Sequence, residues 1–110
     1  MSSELHPGNP AAFDQLRALA REIIDNAVPF TDWISRYAYF CRVWSDRLVD
    51  VVLTAKAWRG GNIHANTVEH LREAFQYLVI GTELTPRLWT DGEIDAHLIE
   101  ALTRHDRLGG

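Results

Sequence analysis

Five histidines and a single cysteine are the residues of this chain whose types could do chemistry. The fullest metal-binding arrangement would set Glu93, His97 and His105 on one face of a last helix, against Glu69, His70 and Glu73 on the helix before it. Bundled di-iron sites need a Glu three residues before a His on each of two helices, so that both ligands aim at one ion, and no Glu here precedes a His by three. The His-Glu-x-x-His of zinc proteases does not occur either. The histidines therefore read as surface or boundary residues, with His105 favouring the negative end of a helix, and no cofactor is expected. Cys41 falls between Tyr37 and Trp44 on an apolar seam, where packing among aromatics suppresses the thiolate, so it reads as core filler. Gly60-Gly61 lacks the companion Lys-Ser/Thr of a phosphate loop and the further glycine of a dinucleotide turn. There is no Gly-x-Ser-x-Gly elbow. Gly109-Gly110 has the form of a conjugation tail, but such tails belong to a β-grasp fold that this chain's pattern does not support. The expectation is a protein without catalytic activity.

The scaffold has to be read from composition and periodicity. At 110 residues there is one domain's worth of chain, and eleven aromatics are far too many for a disordered one. Eleven basic against fifteen acidic residues give a net charge of −4, which disfavours a phosphate-binding face. A helix-turn-helix reader needs a basic recognition helix, and the candidates carry Glu69, Glu73, Glu93, Asp95 and Glu100. No apolar run approaches the ~20 residues that span a bilayer, and the start lacks a signal-peptide pattern, so no membrane partner and a cytoplasmic location are expected. One cysteine cannot form an internal disulfide, which fits a reducing compartment.

Proline and glycine divide the sequence into four blocks with helical periodicity. The spacing predicts helices over about 10–28, 31–58, 66–81 and 91–105, hence an all-α, four-helix domain over residues 1–110. Asn9-Pro10 opens the first, and its apolar face is Phe13, Leu16, Leu19, Ala20, Ile23, Ile24 and Ala27. Thr31-Asp32 caps the second, Asn66 with Glu69 the third, and Thr90 with Glu93 the fourth. Gly81 or the Thr85-Pro86 step closes the third, and residues 1–8 and 108–110 are expected to fray.

The second block is the informative one. Ile34, Tyr37, Cys41, Trp44, Leu48, Val51, Ala55 and Trp58 alternate spacings of three and four, and Tyr39, Val43, Val49 and Leu53 lie outside that stripe. Twenty-eight residues at ~1.5 Å each make a rod of roughly 42 Å, long for a domain with a radius of gyration near 13 Å. A rod apolar on nearly every side is central in a bundle or is covered by another chain, so a long central helix and a homodimer are expected. Candidate dimer or partner surfaces are Trp33, Tyr39, Phe40, Val43, Val49, Leu53, Trp58 and Trp89, since aromatics and arginine concentrate interface energy.

The opening Met-Ser-Ser-Glu-Leu-His-Pro-Gly-Asn-Pro, the run from Thr31-Asp32-Trp33-Ile34-Ser35 to Arg36-Tyr37-Ala38-Tyr39-Phe40 and the chain length together resemble the small quorum-sensing anti-activators of pseudomonads. The resemblance implies an all-helical homodimer that binds the ligand-binding domain of a LuxR-type transcription regulator and blocks its dimerisation, and so its DNA binding. It assigns no individual contact residue. A different reading of the same acidic, non-catalytic helical chain is an immunity or anti-defence protein that plugs a nuclease by acidic mimicry. That reading needs a contiguous Asp/Glu face.

Overall fold

The computed structural model describes residues 9–81 and 89–109, with backbone alone for 105–109. The segments 1–8 and 82–88, Gly110 and the His105 side chain lie outside it, and with them the expected fraying of the first residues and the Thr85-Pro86 stop. Four α-helices make up the described residues, and no strand occurs among them: α1 (Pro10–Ala27), α2 (Trp33–Arg59), α3 (Ala65–Ile80) and α4 (Asp91–Gly109). None of the helices is long and apolar enough to cross a membrane. The Cα radius of gyration is 13.8 Å and the longest dimension 44 Å, close to the ~40 Å of a 27-residue helix.

Three of the four helices begin where the sequence offers the orphan amides a side-chain partner. The Asn9 side chain accepts from the Ala11 amide (2.9 Å), with Pro10 at a position whose missing N–H is no loss. Asp32 takes both the amide and the hydroxyl of Ser35 (3.0 and 2.9 Å), which holds its carboxyl below the usual carboxylate range. Thr90 and Glu93 form the reciprocal capping box, amide to carboxylate at 2.8 Å and amide to hydroxyl at 3.1 Å. The third helix departs from expectation: it starts at Ala65 with His64 as N-cap and no side-chain cap, so Asn66 sits inside the first turn, and Thr67 beside it is buried. At the other ends, Gly60 terminates α2 in the left-handed conformation (φ 86°) that a Cβ would penalise. Gly81 terminates α3, and α4 continues in helical form through Leu108 and Gly109.

The helices pair as two antiparallel hairpins, α1 with α2 and α3 with α4. The Asn9 amide donates to the Trp58 carbonyl (3.1 Å) and the Tyr39 hydroxyl to the Ile23 carbonyl (3.0 Å), which fixes the first pair at both ends. The core is the sum of the apolar stripes: Leu16, Ala20, Ile23 and Ile24 of α1, Phe40, Val51 and Ala55 of α2, Leu71, Phe75 and Leu78 of α3, and Ile94, Leu98 and Leu102 of α4. Trp44 stacks with Phe40 and meets the edge of Phe75, joining the two hairpins. Helix α2 is unbroken and is the longest, yet it is not shared by all the others. It packs on α1 and α3 and barely meets α4, whereas α1 touches all three of its fellows.

Candidate interaction surface

Three of the residues with chemical potential are engaged in holding the fold, while the buried Nδ1 of His70 has no hydrogen-bond partner. Glu93 is spent on the α4 cap, Glu73 pairs with Arg104 (3.3 Å), and the His97 ring packs against Tyr77 and Trp89 (centroids 5.0 and 5.6 Å). No group of His, Cys, Asp and Glu that could hold a metal occurs among the described residues. Cys41 is half-buried on α2, more open than core filler would be. Seven of the acidic residues are in ion pairs: Asp14 and Asp95 with Arg17, Asp91 with Arg21, Glu22 and Asp50 with Arg47, and Glu73 and Glu100 with Arg104. Those side chains form no uncompensated acidic face.

The candidate interface residues of the sequence reading separate into three environments. Phe40 (0%), Trp58 (3%) and Tyr39 (8%) are core residues, so they present nothing to a partner. Tyr39 stacks on Phe30 and its hydroxyl is satisfied by Ile23, while burial pushes its pKa up from 10.0. Trp58 lines, with Phe13 and Ile99, a groove of about 730 Å³ between α1 and α4. Val43 and Trp89 are half-buried against the core. The Trp89 indole donates to the Leu78 carbonyl (2.7 Å), satisfying one of the orphan acceptors in the last turn of α3, and its own carbonyl accepts from Arg21 (2.9 Å). It is a clamp between α1, α3 and α4, not an open patch. Trp33 (63% exposed), Val49 (66%) and Leu53 (58%) are the three that face solvent.

Besides Tyr77 of α3, two further large apolar residues are exposed, both on α2 and both where the seam of the sequence reading put core. Ile34 is 64% exposed and Tyr37 39%. In their place Arg36 is buried, its Nε donating to the Phe30 carbonyl at the α1–α2 turn (2.9 Å) while its stem packs inward. A stripe spaced at 3.5 residues drifts about 20° per heptad on a straight 3.6-residue helix, so a seam anchored at Trp58 has rotated outward by Ile34. The signal for Arg36 was its position four before Phe40; its charge concealed it.

Trp33, Ile34 and Tyr37 therefore form one aromatic end. Spacings of three and four make them neighbours on the helix surface, and Cys41 continues the strip one turn on. They lie in the turn and a half of α2 that precedes Tyr39, whose hydroxyl is bonded to Ile23 of α1. Val49 and Leu53, also a turn apart, form a second apolar strip on the opposite half of the rod. No family model, curated protein or solved structure matches this chain.

Proposed function

We propose that the chain is a non-catalytic, cytoplasmic interaction module that works by occlusion. As a homodimer it lays the aromatic end of α2 on the ligand-binding domain of a LuxR-type quorum-sensing regulator, at the apolar surface through which that regulator pairs. A receptor so covered cannot dimerise or hold DNA, and active dimer is depleted by mass action. The observation that carries the reading is the cluster of Trp33, Ile34 and Tyr37, large apolar side chains left in solvent by a domain that buries the rest of its aromatic stripe. The receptor class comes from the sequence resemblance to the anti-activators. Ion pairing of seven carboxylates within the chain counts against the nuclease-mimic alternative, which needs a contiguous acidic face.

The test is titration of a purified LuxR-type ligand-binding domain with the protein, followed by Trp33 fluorescence and by loss of receptor dimer in sedimentation. Binding that survives a rise from low to high salt and is lost in Trp33→Ala and Tyr37→Ala supports occlusion. Binding that collapses with salt, or is indifferent to both substitutions, overturns it.

A further inference from the structure

The back of α2 carries a pattern that its own chain does not use. Ala38, Arg42, Ser45, Val49, Leu53 and Lys56 are all exposed and recur at spacings of four, three, four, four and three. That is the period of a helix–helix seam. Helix α4 barely meets α2, so this side of the rod faces outward, and no ion pair among the described residues uses Asp46 or Lys56. Opposite charges flank the apolar centre, Asp46 before Val49 and Lys56 after Leu53, with Arg42 one turn farther out on the Asp46 side.

We propose that a second copy of this chain lies antiparallel along this face, about a two-fold axis level with Val51. This rests on the homodimer reading above and assigns its seam and register. In that register Val49 packs on the partner's Leu53, Asp46 meets the partner's Lys56, and Ser45 faces the partner's Ala57, small residues that let the rods close to the usual 8–10 Å. Arg42 reaches the partner's Gly60, where the carbonyl end of a helix favours a cation. The two-fold axis repeats every contact, so both flanks of the apolar centre are neutralised at once. A register centred nearer Ser45 sets Arg42 against the partner's Val49 and spends Leu53 on the partner's Ala38, which loses both the ion pairs and the apolar match. The face is complementary to its own reversal, and that selects a second copy over an unrelated partner.

The test uses the full chain and its charge swaps in sedimentation equilibrium across the micromolar range, with circular dichroism to confirm unchanged helicity. Asp46→Lys and Lys56→Asp are each expected to weaken the dimer about tenfold or more, and the double variant D46K/K56D to restore it. Residues ten apart on one helix are ~15 Å apart, so that rescue is possible only between chains. A dimer indifferent to these changes, or a double variant as weak as the singles combined, overturns the seam and leaves a dimer through another face. A strict monomer at every concentration overturns the seam and the homodimer together, and leaves receptor binding by the aromatic end to be judged by its own titration.

Discussion

Arg17 and Asp95 join α1 to α4 through two parallel hydrogen bonds, 2.6 Å from Nε and 3.0 Å from Nη2. Both side chains are about one-third exposed, and the bond to Asp95 is the main reason that the Arg17 guanidinium is held even more firmly in its charged form. Bidentate geometry makes such a pair worth more than the median surface ion pair, and water still screens it. Asp95→Ala is expected to lower unfolding free energy by about 0.5–1 kcal/mol in urea titrations. Arg17→Lys should recover little of the pair's contribution, because a point charge cannot make both bonds.

Tyr39 offers a test of burial by pH. Its folded pKa is raised by burial, so the folded state holds the phenolic proton more tightly than the unfolded chain does. The stability this gives is complete below pH 10 and is lost as pH climbs from there toward the folded value. Melting temperature should fall more steeply above pH 10 in the native chain than in Tyr39→Phe. At neutral pH that variant should cost about 0.5–1.5 kcal/mol for the bond to Ile23.

The two glycine stops of α2 and α3 are expected to fail for different reasons. Gly60→Ala meets no atom within 4 Å and suffers only from its left-handed backbone, about 1–2 kcal/mol. Gly81→Ala adopts an ordinary backbone but drives its Cβ into the Tyr77 ring and carbonyl. Gly81→Ala should therefore disturb the Tyr77–Trp89–His97 ring cluster, read as a change in Trp fluorescence that Gly60→Ala does not produce.

Phe40 and Trp33 separate stability from binding. Phe40→Ala opens a cavity in a site with no exposure and should cost about 3–5 kcal/mol. Trp33→Ala removes a side chain mostly in solvent and should change stability by no more than about 0.5 kcal/mol while weakening receptor capture. Thermal melts paired with binding titrations distinguish the two.

The helical composition and most of the core were legible because α1, α3 and α4 are short helices with one apolar stripe each. Leu71, Phe75, Leu78 and Val79, and Ile94, Leu98, Ala101 and Leu102, are buried where their spacing put them. On α2 the C-terminal half was legible and the N-terminal half was not. Trp44, Val51 and Ala55 are core as their spacing indicates and Trp58 is core against its reading as an interface residue, but apolar character alone could not reveal that Ile34 and Tyr37 had turned outward while Arg36 took the inner position. The role of Trp89 was hidden for another reason. Its indole is held by a backbone carbonyl of α3, a partner that side-chain patterning does not reveal.

In the first turn and a half of α2, from Trp33 to Ala38, Arg36 is the one buried residue, whereas Tyr39, Phe40 and Trp44 are all buried in the turns that follow. Amide hydrogens from Trp33 to Ala38 should exchange with solvent deuterium well before those from Phe40 to Ala55, whose opening requires the hairpins to come apart. The stretch with the largest exposed aromatics is thus also the one that frays most cheaply, and a partner that grips it would be seen first as a slowing of that exchange.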